Sequence, residues 1–230
     1  MRYYPIYLDL KGRKALVVGG GPIAEGKALQ LAAAGARVTV VSPELTEALR
    51  AALESGEIDH RSGSFIEEDL HDVVLVISAT NDRKVNEEVA NSAAARGLLC
   101  NVVDQPDLCN FITPALVTRG DLQISVSTSG GSPTLTQRVK REVAALIGEE
   151  YGLLLEIAAE MRAEAKVQIA DFERRKDILR AFVESDALDL IRAGRLHEAR
   201  ELARNGVKLA YEQIEGEYGI NGINRTDGKS

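Results

Sequence analysis

The sequence predicts an α/β protein whose N-terminal part is a parallel β-sheet covered by helices on both faces. Short apolar runs alternate with amphipathic helical patterns from the N terminus to about residue 112. These runs are apolar throughout, which is typical of strands buried on both faces of a parallel sheet. The first run ends in a glycine-rich turn that leads directly into a helical pattern. Together, these three features indicate a doubly wound sheet.

The elements of this sheet follow one another in a regular order. The first strand covers 15–18 and ends at Gly19, and the first helix covers 23–34 with Gly35 as the glycine after its last turn. Strands and helices alternate along the chain because parallel neighbours need long crossover connections. Further strands are predicted at 38–41, 73–77 and 98–103, and further helices at about 46–53 and 85–96.

A different pattern follows residue 113. Two strand-like runs, 115–118 and 122–127, are joined by Arg119-Gly120-Asp121, which is typical of a hairpin turn. Ser132 before Pro133 then predicts the N-terminus of a helix, because serine is a good cap and proline is favoured at the first helical position. The remaining chain has helical patterns to about residue 215.

Four segments follow from these patterns. Two strands and one helix are too small to close a core of their own, so this segment predicts a homodimer interface. The last residues are polar and rich in glycine, which is typical of a disordered tail. We therefore expect a sheet domain at 1–112, a dimerisation region at 113–148, a helical domain at 149–215 and a disordered tail at 216–230.

Composition excludes several classes of protein. The 230 residues carry a net charge of −7, which argues against nucleic-acid binding because such domains usually present a basic face. The longest apolar stretch, 73–79, is far shorter than the roughly 20 residues of a membrane-spanning helix. The N-terminus lacks the apolar segment of a secretory signal, so we expect a cytoplasmic protein. Cys100 and Cys109 indicate neither a disulfide framework nor a paired zinc motif.

The glycine turn carries the first chemical motif. Gly19-x-Gly21-x-x-Ala24 lies between a buried strand and a helix, as in the Rossmann-type fingerprint for dinucleotides. Its first glycine permits the tight turn, its second lets the backbone approach a pyrophosphate, and its small third residue packs helix against strand. The alternative is a glycine turn that only connects a strand to a helix. The surrounding strand and helix favour cofactor binding.

The second predicted strand ends where a Rossmann domain contacts the adenosine ribose. An acidic residue is expected there, about 20 residues after the glycine motif. The sequence has Ser42-Pro43-Glu44 at this place, with the carboxylate beyond a proline. No arginine directly follows the strand to favour a 2′-phosphate. This turn therefore predicts NAD rather than NADP.

Two polar segments follow strands at the same edge of the predicted sheet. Thr80, Asn81 and Asp82 lie beyond the strand at 73–77, where they face the cofactor crevice or cap the next helix. Asp104 follows the strand at 98–103. A carboxylate near a nicotinamide site can act as a general base, whereas an aspartate before a proline-rich bend can simply cap a turn. The residues alone leave both alternatives open.

A loop of glycines and hydroxyl residues, SVSTSGGSP at 125–133, precedes the predicted helix of the third segment. Ser127 and Thr128 lie in this loop, and such a loop can offer backbone N–H groups to an anion. Its alternative is a flexible turn with a Ser132 cap. Arg138 and Arg141 share one face of the helix that follows, and a charged helix face is most often only solvated.

The combination of motifs resembles one family. VVGGGPIAEGKA, ISATND, NVVDQP, FITPA and SVSTSGGSP occur in the order and spacing of the precorrin-2 dehydrogenase/sirohydrochlorin ferrochelatase family, the stand-alone form of the N-terminal module of siroheme synthase. The resemblance runs from Tyr4 to about residue 210. It implies an NAD-binding Rossmann domain, a dimerisation region and a small helical domain. One departure is Gly26, which stands where an arginine is common.

The resemblance also implies an activity and the residues that support it. The family oxidises precorrin-2 to sirohydrochlorin with NAD⁺, and many members insert Fe²⁺, here a substrate and not a bound metal, to give siroheme. Asp104 matches the family's essential aspartate. A substrate with many carboxylates would also give Arg138 and Arg141 a role. The rival hypothesis is a non-catalytic, nucleotide-sensing Rossmann module, which would need neither Asp104 nor the 125–133 loop. Family positions for the cofactor are Gly19, Gly21, Pro22, Ile23, Ser42, Pro43 and Glu44.

Overall fold

The computed structural model describes residues 3–222, and the chain divides into two units, Met1–Thr113 and Pro114–Ser230. The division falls one residue beyond the predicted end of the sheet domain. The second unit contains both the hairpin segment and the helices that follow it. The finer division into a dimerisation region and a helical domain stays a prediction.

The first unit alternates strands and helices, as predicted. Its helices begin one or two residues earlier or later than expected. One additional strand, which was not predicted from the sequence, lies between the second helix and the strand predicted at 73–77. Two short 3₁₀ turns, Glu67–Leu70 and Pro106–Leu108, complete the unit. The elements are β1 (Lys14–Val18), α1 (Pro22–Ala33), β2 (Arg37–Ser42), α2 (Glu47–Glu54), β3 (Ile58–Ser62), β4 (Val73–Ser78), α3 (Arg83–Ala95) and β5 (Leu99–Val102).

All five strands are parallel and lie in the order β3-β2-β1-β4-β5. The strand order reverses between β1 and β4, and ligands of open α/β sheets bind beyond the carboxyl ends of the strands at such a point. The unpredicted strand, β3, lies at an edge, and only Ile58 of its residues is buried. An edge strand with polar residues lacks the apolar run that identifies the central strands.

The two faces of the sheet carry separate cores. On one face, Ala24 and Ala28 of α1 and Leu49 of α2 pack against β1, β2 and β4. On the other face, Val89 and Ala93 of α3 pack against the same strands from behind. The sheet is therefore covered by helices on both sides, which confirms the predicted doubly wound fold.

The second unit begins with an antiparallel hairpin and continues as helices. The hairpin pairs Arg119 with Leu122 across a two-residue turn, which confirms the predicted position. Ser132 caps the next helix by accepting a hydrogen bond from the Leu135 N–H at 3.2 Å, also as predicted. The elements are β6 (Ala115–Arg119), β7 (Leu122–Val126), α4 (Pro133–Leu146), α5 (Glu150–Gln168), α6 (Phe172–Val183), α7 (Ala187–Arg192) and α8 (Leu196–Gly222).

Arg119 joins the hairpin to the end of α4. Its guanidinium donates hydrogen bonds to the carbonyl oxygens of Ala144 and Ile147, each at 2.9 Å, where helical carbonyls lack partners. The same region packs against α5 through Gly152, where a Cβ atom would lie 2.6 Å from the Arg119 carbonyl oxygen. Glycine at this position lets the hairpin approach the helix.

The helices α5 to α8 share a core that includes Ile157, Met161, Ile169, Phe182 and Val207. The hairpin and α4 contribute little to any core, because α4 has no buried residue and Val117 is the buried residue of the hairpin. This difference agrees with the expectation that two strands and a helix cannot bury their apolar side chains alone.

The C-terminal end differs from the sequence prediction. Residues 216–222 were expected in a disordered tail, but they continue α8 as helix to Gly222. The rest of the predicted tail, 223–230, lies outside the described residues. Within the described part of the chain, no helix combines the length and the apolar character needed to cross a membrane.

Candidate functional site

The glycine turn after β1 is held by contacts with the neighbouring strand ends. The Gly19 N–H donates to the Val41 carbonyl oxygen at 2.8 Å, and the Thr46 N–H donates to the Gly20 carbonyl oxygen at 3.1 Å. Gly19 has a φ of +120°, and a Cβ there would lie 2.5 Å from the Ala79 carbonyl oxygen. The turns after β1 and β4 therefore touch at the point where the strand order reverses, and glycine is required for this contact.

Gly21 differs from its two glycine neighbours. A Cβ at Gly20 would overlap the Glu44 carbonyl oxygen, whereas a Cβ at Gly21 would meet nothing within 4 Å. Protein packing therefore explains the first two glycines and leaves open space at the third. Gly21 is the N-cap of α1 and gives it no side-chain cap, and Pro22 lacks an N–H of its own. This open space beside an uncapped helix start fits the pyrophosphate of a dinucleotide.

Ala24, the third position of the fingerprint, is fully buried in the core between α1 and the sheet. It therefore has the packing role that the motif assigns to its small third residue. Ile23 is largely exposed at the start of the helix. Its backbone N–H lies in the first turn, where N–H groups have no partner within the helix.

The turn after β2 is built from backbone contacts around a buried serine. The Ser42 hydroxyl donates to the Glu44 carbonyl oxygen at 2.7 Å, so this side chain holds the turn together. Pro43 and Glu44 are exposed. The guanidinium of Arg50, which the sequence analysis did not consider, donates to the Leu45 carbonyl oxygen at 2.7 Å. The predicted ribose-side residues thus lie together at the strand end, with a cation next to them.

The residues after β4 are fixed by Asn86, a buried residue of α3 that the sequence analysis missed. Its Oδ1 accepts hydrogen bonds from Ser78 at 2.7 Å and from Thr80 at 2.9 Å, and its Nδ2 donates to the Thr80 carbonyl oxygen at 3.1 Å. Asp82 accepts from the Lys84 N–H at 2.9 Å and caps α3. Asp82 therefore caps α3, which does not exclude a cofactor contact, and Asn81 is exposed. The contact of Thr80, Asn81 and Asp82 with a cofactor stays a prediction.

Asp104 lies in a tight turn directly beyond β5. The Gln105 N–H donates to the Val102 carbonyl oxygen at 3.3 Å, and Asp104 has a φ of +59°. This left-handed conformation is uncommon for residues other than glycine, although aspartate tolerates it. The Asp104 side chain is exposed at the carboxyl edge of the sheet, the same edge as the glycine turn. Its position is compatible with a general base.

The open edge of β5 is closed by side chains from the segment that follows it. Asn110 accepts from the Cys100 N–H at 2.8 Å and donates to the Leu98 carbonyl oxygen at 2.8 Å, in place of another strand. The Cys109 sulfur accepts from the Val102 N–H at 3.1 Å. Both cysteines are free thiols, and burial raises the pKa of Cys100 to about 11. They are packing and hydrogen-bonding groups rather than nucleophiles.

Lys27 of α1 is a second residue that the sequence analysis did not single out. Its ammonium donates to the Thr113 hydroxyl at 2.9 Å and so ties the last residue of the first unit to the helix after the glycine turn. Burial lowers the pKa of Lys27. The sequence could not predict this contact, because a single lysine in an amphipathic helix is most often exposed to solvent.

In the second unit, the loop at 125–133 is closed by its own hydroxyl groups. The Thr128 hydroxyl accepts from the Ser132 N–H at 3.1 Å and contacts the Thr136 hydroxyl at 2.9 Å. The Ser127 hydroxyl accepts from the Ser129 N–H at 3.0 Å. Thr128 is therefore occupied within the loop, and Ser127 is exposed. The Ser132 cap is present as predicted, but the loop is held by internal hydrogen bonds and is not the flexible turn of the alternative.

The basic residues of α4 lie on its surface. Arg138 pairs with Glu142, four residues further along the helix, at 2.8 Å. Arg141 is exposed. Their predicted contact with an anionic substrate stays a prediction. Among the residues from 3 to 222, no three histidine, cysteine or acidic side chains are grouped so that they could hold a metal ion.

Three family models match consecutive parts of the chain. A family described as putative NAD(P)-binding matches residues 6–115, which is the first unit almost in full. The central part of a sirohaem biosynthesis protein matches 119–146, and the sirohaem synthase dimerisation region matches 150–206. The segment that carries the dimerisation description is thus the helical part, whereas the sequence analysis expected the interface at 113–148.

Curated relatives are siroheme synthases. That of Thioalkalivibrio sulfidiphilus is 39% identical over 212 residues, covering 92% of this chain and 43% of the relative. That of Nitrosococcus oceani is 34% identical over 227 residues, covering 99% of this chain and 48% of the relative. This chain therefore spans less than half the length of these relatives.

A solved structure has a similar fold along its full length. The protein described as SirC, a precorrin-2 dehydrogenase, superposes with a TM-score of 0.75 at 28% sequence identity. The match covers 88% of this chain and 100% of that one. Both the sheet unit and much of the second unit therefore have counterparts in one known dehydrogenase.

Proposed function

We propose that the chain oxidises precorrin-2 to sirohydrochlorin with NAD⁺, on the basis of its similarity to siroheme synthases and to a precorrin-2 dehydrogenase. The observation that carries this proposal is the arrangement at one edge of the sheet. The open glycine turn at Gly21 and the exposed carboxylate of Asp104 follow strands that end at the same edge. A dehydrogenase needs both a dinucleotide site and a base there.

The residues around the glycine turn would hold the cofactor. The open space at Gly21 and the uncapped start of α1 are suited to the pyrophosphate, and the exposed Glu44 carboxylate would accept from the adenosine ribose. We assign NAD rather than NADP because Glu44 would repel a 2′-phosphate and Arg50 is bound to the Leu45 carbonyl. Bound NAD⁺ would supply the hydride acceptor.

Asp104 would remove the proton that leaves the tetrapyrrole with the hydride. Oxidation of precorrin-2 removes two hydrogens, one as a hydride and one as a proton, so a single base suffices. The carboxylate is exposed and its turn is fixed at the strand end. A role in substrate binding for Ser127, Thr128, Arg138 and Arg141 of the second unit stays a separate prediction.

Fe²⁺ insertion is a second candidate activity, favoured by the siroheme synthases among the relatives. Chelation releases the two protons of the pyrrole N–H groups, and the same base could accept them. Iron would enter as a substrate.

The two activities can be tested in sequence on the purified protein. Precorrin-2 and NAD⁺ are supplied first, and the spectra of NADH and sirohydrochlorin are followed. Fe²⁺ is then added and siroheme formation is recorded. We expect NADH to form in proportion to sirohydrochlorin. NAD⁺ binding without oxidation would favour the nucleotide-sensing alternative, and oxidation without siroheme would restrict the protein to the dehydrogenase step.

The partner of the chain is proposed to be a second copy of itself. The exposed apolar residues Leu135 and Leu146 of α4 favour an interface through 113–148, whereas one family description favours 150–206. Localisation in the cytoplasm stays a prediction.

A further inference from the structure

Asp104 lies between two residues whose backbones are both bound by one side chain. The Cys109 sulfur accepts from the Val102 N–H at 3.1 Å. The same sulfur lies 3.2 Å from the Val102 carbonyl oxygen and 3.3 Å from the Gln105 carbonyl oxygen, so the single thiol proton is shared between them. Cys109 therefore contacts the backbone immediately before and immediately after the Val103-Asp104 pair.

The turn held in this way is strained at its central residue. Asp104 adopts a φ of +59°, and such a conformation persists only where the surroundings fix it. The Gln105 N–H bond to the Val102 carbonyl, at 3.3 Å, is long for a backbone hydrogen bond. The thiol contacts with Val102 and Gln105 add a second constraint on the same turn. The Val103 N–H donates to the Ser78 carbonyl oxygen of β4 at 2.9 Å. The Val102 N–H points away from β4, because N–H groups alternate in direction along a strand, and it donates to Cys109.

The thiol is suited to a positioning role and not to a reactive one. Burial raises the pKa of Cys109, and the Val102 hydrogen bond offsets this only in part. The thiol therefore keeps its proton and can donate it to a carbonyl. Cys109 also packs against the core on the α3 face of the sheet, which fixes the sulfur in place.

We propose that Cys109 is a positioning residue for Asp104: its thiol clamps the turn at Val102 and Gln105 and so holds the carboxylate at the edge of the sheet. The inference rests on the proposed function, because it assigns Asp104 the role of base. The proposal adds Cys109, a residue outside the fingerprint motifs, to the residues on which the activity depends. A displaced general base loses rate steeply, by about 10²-fold for a shift of about 1 Å.

Two substitutions separate the hydrogen bonds from the packing. Cys109→Val keeps an apolar side chain, which is slightly larger, and removes the thiol hydrogen bonds, whereas Cys109→Ser keeps a hydroxyl that can accept and donate. Cys100→Val is the matched control, because Cys100 is buried nearby and its thiol makes no hydrogen bond among the described residues. The three variants and the wild type are compared for kcat, for KM of precorrin-2 and for Kd of NAD⁺.

We expect Cys109→Val to lower kcat by about 10- to 100-fold with little change in KM or in the Kd of NAD⁺. Cys109→Ser should restore most of the rate, and Cys100→Val should retain it. In an Asp104→Asn background, Cys109→Val should cause no further loss, because the two residues act as one unit. Amide hydrogen exchange at Val102 should be faster in Cys109→Val than in the wild type.

Three results would overturn the proposal. The first is Cys109→Val oxidising precorrin-2 at the wild-type rate. The second is a loss that multiplies in the Asp104→Asn background, which would indicate a general structural defect. The third is a wild-type protein that binds NAD⁺ but does not oxidise precorrin-2, which refutes the proposed function itself and needs no variant to detect.

Discussion

The buried side chain of Asn86 accepts a hydrogen bond from the Ser78 hydroxyl at 2.7 Å and thereby joins α3 to the end of β4. Both residues are fully buried, so water cannot replace either partner. The contact fixes the strand end beside the glycine turn, at the reversal of strand order. The crevice therefore depends on Asn86, which belongs to no recognisable sequence motif.

Removing this contact should destabilise the first unit. Asn86→Ala leaves the Ser78 hydroxyl without its partner in a buried place, which costs about 1–3 kcal/mol in the free energy of unfolding. Asn91→Ala, an exposed position on the same helix, is the matched control and should change it little. Chemical denaturation measures both. Equal stability of the two variants would refute the importance of the Asn86 contacts.

Much of the fold could be predicted because its central strands are buried on both faces. β1 and β4 are almost entirely buried, so their sequences are apolar except for Lys14 and Ser78 at their ends. β3 could not be predicted, since it lies at an edge and its side chains are mostly polar. The helical continuation to Gly222 was missed because glycine and polar residues indicate a tail.

The candidate site shows the same division. The glycine turn and Asp104 could be found because a cofactor motif and a strand end each have a local sequence pattern. Asn86 and Cys109 could not be found in this way. Each acts through contacts with residues four to eight positions away, and alone each is typical of a helix surface or a buried thiol. Such contacts depend on the fold.

Two glycines of the turn should respond differently to substitution. Gly21→Asp introduces a side chain into open space, so the protein should fold with an unchanged Tm. NAD⁺ binding should nevertheless be lost, because the carboxylate occupies and repels the pyrophosphate position. Gly20→Ala should instead fail to fold normally, because its Cβ overlaps the Glu44 carbonyl oxygen. Calorimetry of NAD⁺ binding and thermal unfolding distinguish the two variants. Unchanged affinity for NAD⁺ in Gly21→Asp would show that the glycine motif does not bind the cofactor.

Arg119 should stabilise the second unit through the end of α4. Arg119→Met removes the hydrogen bonds to the carbonyls of Ala144 and Ile147 and should cost about 1.5–3 kcal/mol, as for bonds that involve a charged group. Arg138→Met is the control, because Arg138 forms an exposed pair with Glu142 that is worth at most about 0.5 kcal/mol. Urea unfolding should separate the two variants, and equal midpoints would count against the cap.

The location of the dimer interface can be decided by two charged substitutions. Leu146 of α4 is 73% exposed, and Leu155 of α5 is 37% exposed. If the interface lies in 113–148, Leu146→Glu should dissociate the dimer and Leu155→Glu should not, because a buried unpaired charge is strongly unfavourable. Sedimentation at micromolar concentration reports the outcome. The reverse pattern would place the interface in 150–206, and a wild-type monomer would refute the dimer.

We propose Asp104 as the base for precorrin-2 oxidation at the NAD⁺ site of the first unit. Its most direct test is the single-turnover rate of the Asp104→Asn variant with saturating NAD⁺ and precorrin-2. Asparagine keeps the size and the tolerance for the left-handed turn but cannot accept the proton. We predict a rate about 10²- to 10⁴-fold below that of the wild type, with unchanged affinity for NAD⁺. Oxidation at the wild-type rate would refute the role of Asp104 as the base and leave it as a turn residue only.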